Sequence, residues 1–337
     1  MTLPSRRVAG LIGIAFSLSL VIFGNTPPAA AAPTTLTVGL VSKAANDWPL
    51  YIAQKTGVFA ANGLSLDLVN TGSPVGTTQQ LIGNSIDIGS DTSTQLAQAV
   101  QSGVTIFGLL QNTNKPMYSV IGKKGITSIA DLSGKTVIVS SPHAITRLFM
   151  DTVLEKNGVK PSQVTFTYAG ATSGRFAALL SGGVEAAILL PPFSFRAEGM
   201  GYPLLAEVQK YYPRFVFDTY VANTEWATSH RALAVAFDKS ILEGVRYLYD
   251  PKNKASAIKI LIDVTNTKPD DAAKTYDYLV TKLHAFSRTG SSTPADYKQV
   301  SDALVELGLA KSPMPPPTKF YDNSYVDAAA AQLKTSK

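Results

Sequence analysis

From Leu36 onward, short β-branched runs alternate with segments whose apolar residues recur at helical spacing, each bounded by Gly, Pro or Ser. Strand, turn, helix, turn, strand is the signature of a mostly parallel sheet with crossover helices, and it predicts an α/β class. Strands are expected at 36–41, 65–69, 86–89, 105–110, 136–139, 164–168 and 186–190. After a short helix to Gly201 and an apolar aromatic run at 215–221, only helices are expected, at 225–249, 255–264, 269–283, 294–307 and 323–333.

The pattern repeats within the chain. Asn62-Gly63-Leu64 matches Asn157-Gly158-Val159; further on, at one constant offset, Gly72 meets Gly170, Leu81 meets Leu179, Ile86 meets Val184 and Asp87 meets Glu185. Each Asn-Gly supplies a left-handed cap that ends one helix and starts the next strand. Shared spacing across helix and strand together points to two related lobes. Helices alone cannot begin a third sheet, so the chain is expected to pass to the second lobe near 114–118 and return near 218–223. Lobe one is then 33–114 with 219–337, lobe two 115–218, and a doubly crossed hinge implies a cleft.

Composition narrows the setting. With 337 residues, 45% of them hydrophobic, the chain can build two lobes of ordinary domain size. Arg6 and Arg7, an apolar run from Val8 to Phe23 and the cluster Ala29 to Ala32 read as a secretion signal over 1–31, cut after Ala31. A periplasmic or otherwise extracytoplasmic protein is expected, with no later segment apolar enough to span a membrane. Losing Arg6 and Arg7 takes the formal charge from +6 to +4, and no dense Lys/Arg stripe suggests nucleic acid. Zero cysteines removes disulfides, thiolate metal sites and cysteine nucleophiles.

Parallel α/β sheets bind ligands beyond the carboxyl ends of their strands, where loops lead into helix N-termini. Such turns fall at 42–49, 72–74 and 90–93 in lobe one, and at 140–142, 170–173 and 190–192 in lobe two. They offer Ser73, Thr92, Ser93, Ser140, Ser141, His143 and Thr172 as polar contacts. Ser73-Pro74 and Ser141-Pro142 each read as an N-cap with proline at the first helical position. Trp48, Tyr51, Pro192, Phe193 and Tyr220 are candidate walls, and Asp47, Asp91 and Asp218 candidate acceptors. A cap, a core aromatic or a solvated acid accounts for each position taken singly; their convergence on one gap points to a site. Arg175 falls in the first turn of a helix, where a cation opposes the macrodipole and an anion relieves the conflict; Arg147 is a second candidate.

Catalysis has little to work with. His143, His230 and His284 are the only histidines, none in metal-ligand spacing, and there is no Gly-x-Ser-x-Gly elbow. No catalytic residue, metal or cofactor is expected; the enzymatic alternative would rest on Ser141 or His143.

Several stretches together carry a family resemblance: 49–55 (Pro-Leu-Tyr-Ile-Ala-Gln-Lys) leading to Gly57-Val58-Phe59, then 62–64, 81–88, 129–137 and 175–187. In this order the chain resembles the nitrate/sulfonate/taurine substrate-binding family of ABC importers. The resemblance implies the type II periplasmic-binding-protein clamshell, each lobe a mixed, mostly parallel sheet flanked by helices, with extra C-terminal helices. It also implies ligand contacts from the six turns above, a permease and a cytosolic ATPase as partners, and a monomer. The expected ligand is a small organic anion such as a sulfonate or carboxylate. A thiamine-precursor-like pyrimidine, with Asp47 as acceptor, is the alternative, and a sensory binding protein a further one. Eukaryotic relatives that make that pyrimidine use a cysteine-rich segment, which this chain lacks.

Overall fold

The β-branched runs become strands, and those in the middle of the sheets, at 88–92 and 186–189, are buried along their whole length. The computed structural model describes residues 1–2 and 32–335; the secretion signal expected over 1–31, apart from its first two residues, lies outside the described residues. Both sheets belong to the unit that begins at Pro33.

The first stretch runs β1 (Thr34–Leu40), α1 (Trp48–Lys55), α2 (Val58–Ala61), β2 (Leu64–Asn70), α3 (Pro74–Ile82), β3 (Ile88–Thr92), α4 (Ser93–Gln101) and β4 (Ile106–Thr113). The second runs β5 (Ser119–Gly122), β6 (Thr136–Val139), α5 (Ile145–Lys156), β7 (Thr165–Tyr168), α6 (Thr172–Leu180), β8 (Ala186–Leu189), α7 (Phe193–Gly199) and β9 (Leu204–Glu207). The chain returns along β10 (Asp218–Asn223). It then closes with α8 (Thr224–Ser229), α9 (Arg231–Tyr249), α10 (Lys254–Thr265), α11 (Pro269–Tyr276), a π turn (Asp277–Lys282), α12 (Pro294–Glu306) and α13 (Ser324–Thr335).

Two five-stranded sheets result, ordered β2-β1-β3-β10-β4 and β7-β6-β8-β5-β9. In each, three neighbouring strands are parallel and one strand, β10 or β5, runs antiparallel beside them. The class is α/β, as the alternation predicts. The repeat is physical as well as textual. Asp87 accepts a hydrogen bond from the Thr37 N–H at 2.7 Å, and its counterpart Glu185 accepts one from the Thr136 N–H at 3.1 Å. Gly63 and Gly158 both take the left-handed conformation, φ 77° and 79°, that the two Asn-Gly signals require.

The two crossings lie side by side. Phe215 N–H donates to the Asn114 carbonyl and Phe217 N–H to the Thr113 carbonyl, so outgoing and returning chain form one short paired ribbon. The larger core cluster runs through that ribbon, linking Tyr118, Phe149, Phe215 and Phe217 edge to face. A smaller cluster, including Ile121, Ile138, Phe176 and Leu189, covers the other face of the second sheet.

Three expectations change. β5 and β9 were not anticipated, and β3 and β4 extend into polar residues read as loops or left out. Ser141 does not cap a helix: α5 starts at Ile145 after Ala144, because the Thr146 hydroxyl accepts from Ser140 N–H and draws the turn around it. The expected 225–249 helix breaks at His230.

Candidate functional site

The carboxyl ends of the two parallel strand sets face one another, and here the halves touch. Ala45 N–H donates to the Pro191 carbonyl at 3.1 Å, and Gln98 Nε2 donates to the His143 carbonyl at 2.9 Å. Gly170 lies so close to the 72–73 turn that an added Cβ would sit 2.5 Å from the Gly72 oxygen and 2.7 Å from Ser73 Cβ. The cleft is closed. Between the halves it leaves a small, partly open cavity of ≈ 30 Å³, room for a compact polar group.

The first half lines this cavity with Ser42, Asn46, Ser90, Asp91, Thr92 and Asp218. Asp218 opens β10 and is held from three sides: Asn112 Nδ2 donates at 2.8 Å, Asn46 Nδ2 at 3.3 Å, and Ser90 Oγ at 3.2 Å to either oxygen. Directly beneath, Asp47 accepts from the same Asn46 amide at 2.9 Å and from the Tyr220 hydroxyl at 3.1 Å. Burial raises both acids, Asp47 to about 6, and the neighbouring Asp47 charge pushes Asp218 further up. Asp91 accepts from Thr92 N–H at 2.7 Å and Thr78 Oγ1 at 3.0 Å, and burial raises it well above the usual range.

The second half contributes Ser140, Thr172, Arg175 and Leu190, with Tyr118 at the start of the ribbon. Arg175 is 1% exposed. Its Nε donates to the Ile188 carbonyl at 2.8 Å, and Nη1 to the Ala169 and Gly170 carbonyls at 3.0 and 2.7 Å. Burial lowers its pKa; the hydrogen-bonded Tyr118 hydroxyl acts in the opposite sense, and no carboxylate contributes. A guanidinium stays protonated under any ordinary condition, so this is a fixed buried charge.

Of the residues singled out from sequence, Asp91, Thr92, Ser140, Thr172, Arg175 and Asp218 line the cavity, and Asp47 lies behind it, bonded to the lining residue Asn46. Ser73 caps α3, accepting from Gly76 N–H at 3.0 Å, while its neighbour Pro74 does the lining. Ser93 ties α4 to the returning ribbon, its Oγ donating to the Val216 carbonyl at 2.5 Å. The aromatics expected as walls pack elsewhere. Trp48 is in the core against Tyr276, its Nε1 donating to the Ala257 carbonyl, and Tyr220 stacks edge to face on Phe237. Phe193 meets Phe176 on the far face of the second sheet, and Tyr51 borders a separate cavity with Gln54 and Asn70. Pro192 is buried next to the lining residue Leu190. Ser141 is half-buried outside the lining, and His143 is exposed, meeting the first half through its main-chain carbonyl. Arg147 is spent on Asp151 at 2.8 Å and on the Phe166 ring.

Tyr118, Ile145 and Phe217 line the cavity without having been singled out. The crossing segments near 114–118 and 215–221 were the available signal for two of them. Among the described residues, no three His, Asp or Glu side chains are grouped to hold a metal, and no helix is long and apolar enough to cross a membrane.

A family model described as NMT1/THI5 like matches residues 44–255, more than half of the chain. The chain belongs to the NMT1/THI5-like family. The protein YtlA of Bacillus subtilis (strain 168), whose name marks it a candidate binding protein, is 25% identical over 250 residues, 71% of this chain and 73% of that protein. The periplasmic nitrate-binding protein NrtA from Synechocystis PCC 6803 superposes with a TM-score of 0.78 at 13% identity, over 90% of each chain. The alkanesulfonate-binding protein SsuA from Xanthomonas axonopodis pv. citri, bound to MOPS, gives 0.69 at 17% identity, over 87% of this chain and 99% of that one. At such identities the fold is what is shared, and it is the periplasmic-binding-protein fold. In this NMT1/THI5-like chain the cleft chemistry therefore has to be read from its own residues.

Proposed function

We propose that this NMT1/THI5-like protein is the extracytoplasmic solute-binding component of an ABC importer, closing on a small organic anion such as a sulfonate or carboxylate. Lobe one is 33–114 with 219–337 and lobe two is 115–218; residues 1–31 direct export; a permease and an ATPase receive the loaded protein. The observation that carries the reading is Arg175, a buried cation without a carboxylate partner, on the wall of a cavity between the two halves. Thr172 and Ser140 stand beside it as neutral polar neighbours. The nitrate and alkanesulfonate binders that share the fold support the anion assignment.

Binding is the role the geometry favours over catalysis. Ser141 stands outside the cavity lining and the His143 ring is exposed, so neither supplies an activated nucleophile there. Thermal-shift screening is the direct test. An anion present at about a hundredfold excess over its Kd adds about 2.7 kcal/mol, which should raise Tm by roughly 4 °C. Stabilisation by neutral pyrimidines and by no anion would overturn the anion reading and favour the heterocycle instead.

A further inference from the structure

A single amide nitrogen serves two acids. Asn46 Nδ2 donates to Asp47 Oδ2 at 2.9 Å and to Asp218 Oδ2 at 3.3 Å. The two carboxyl groups are 1% and 3% exposed, and among the described residues no lysine, arginine or histidine bonds to either. Two carboxyl groups so placed do not ionise independently, and the pair keeps a proton over a range in which a lone acid loses it. Asp218 is the member that lines the cavity.

The donors fix where that proton sits. Asn112 and Asn46 both give an N–H to Asp218 Oδ2, which leaves Oδ1 with only the Ser90 hydroxyl, 3.2 Å away. An ionised Asp218 claims the one Ser90 proton, and Ser90, which also lines the cavity, then shows that space only lone pairs. A proton on Oδ1 reverses the bond: the acid donates, Ser90 Oγ accepts, and the Ser90 O–H is released to donate into the cavity. Charge runs the same way. With Asp91 and Asp218 ionised, two acids outnumber Arg175 on the cavity wall; with both neutral, Arg175 is the only charged lining residue.

We propose that Ser90 is the hydroxyl donor to the bound anion and that a proton taken from solvent by Asp218 turns it to that role, so that capture draws protons in and weakens as pH rises. This rests on the anion reading above and adds to it the residues that set its pH range. Burial lifts Asp47 to about 6 and Asp218 well above the usual range, with the Asp47 charge lifting Asp218 further, so the exchange lies above the range of an exposed carboxyl group. The other titratable groups facing the pair are Tyr51, Tyr118 and Tyr220, all raised by burial, with Asp91 and Arg175 on the cavity wall. Raised tyrosines stay neutral and a guanidinium stays charged throughout, so of these only Asp91, itself raised by burial, shares the titration.

Calorimetry on the exported protein from about pH 5 to about pH 8, in buffers of different ionisation enthalpy, counts the protons and the affinity together. Ethanesulfonate and nitrate are the probes, because neither titrates in that range. The expected result is net proton uptake and an affinity about fivefold or more lower at the upper end. Asp218→Asn imitates the protonated acid, its Nδ2 donating to Ser90; it should bind at about pH 8 at least as tightly as the unaltered protein, with proton uptake cut by about half or more. Ser90→Ala should lose about tenfold at about pH 5 and about threefold or less at about pH 8, where Ser90 already faces the carboxylate. If Asp218→Asn fails to fold, as its melting curve shows, the proton count and the Ser90→Ala affinities decide. Proton release, an affinity unchanged by pH, or an equal loss in Ser90→Ala at both ends would overturn the proposal and leave the anion reading standing. Binding of neither anion at any pH would remove both.

Discussion

Asp238 sits in the middle of α9 with no exposure, and neither of its carboxyl oxygens has a hydrogen-bond partner. Burial alone raises its pKa well above the usual range. For an acid raised in the folded state, the native form binds the proton more tightly than the unfolded chain, so stability falls as pH rises from the unfolded value near 4 through the folded one. The penalty is therefore absent in acid, below the unfolded value, and grows with pH until the folded value is passed. Asp238→Ala should stabilise the protein by about 1–2 kcal/mol at pH 8, combining removal of an unsatisfied buried group with better helix propensity. Urea midpoints at pH 8 and pH 5 check it: the gain should shrink at the lower pH, and an equal gain at both would mean that ionisation is not the cause. Asp47, pushed up to about 6, contributes in the same sense between its usual 3.8 and that value. The cleft acids differ from Asp238 in kind. Asp218 has three donors around it, so the fold has invested in keeping a carboxyl group at that spot.

At the scale of elements, α9 and α1 approach until backbone meets backbone. A Cβ on Gly244 would fall on the Pro49 carbonyl, which is main chain and has no rotamer to yield. Gly244→Ala gains about 1 kcal/mol of helix propensity, but overpacking of this kind costs about 1–3 kcal/mol. The net expectation is a lower Tm; an unchanged or higher one would show that the two helices can separate freely. The same strand and helix boundaries show what could be read from the sequence. Runs such as 136–139 and 186–189 were legible because both faces are apolar and buried. Ser90 to Thr92 and Gln111 to Thr113 were not, because polar residues at strand ends look like loop until their partners are known. Asp218, Asn112, Asn46 and Ser90 belong to four different segments, and their mutual hydrogen bonds are what allow them to be buried. Strands β5 (Ser-Val-Ile-Gly) and β9 (Leu-Leu-Ala-Glu) are no shorter than the runs at 136–139 and 186–189, but each ends in a residue that disfavours a strand, Gly122 or Glu207. The wall aromatics failed for a related reason: sequence places Trp48 and Tyr220 next to the right turns but cannot say which face of the backbone they leave from, and both point into the core.

For the molecule as a whole, the internal repeat explains the geometry of closure. Gly72 and Gly170 occupy equivalent places in the two copies, each in the turn after the strand that ends one half's parallel set, and they meet across the cleft. Related halves facing each other bring related turns together, and only a residue without a side chain lets main chain lie on main chain there. Gly170 carries no unusual backbone angle, so alanine is tolerated by its own half. The clash arises only on closure, where the added carbon would sit 2.5 Å from the Gly72 oxygen. Gly170→Ala should therefore leave the unliganded melting temperature nearly unchanged, within about 0.5 kcal/mol as for other surface changes. Ligand affinity should fall about tenfold or more, since each 1.4 kcal/mol spent on parting the halves is a factor of ten. Small-angle scattering supplies the matching structural readout. The unaltered protein should contract when saturated with ligand, and the variant should contract less. Equal affinity and equal contraction in the two proteins would mean that the Gly72–Gly170 contact is incidental to closure, and that ligand is held without bringing the turns together.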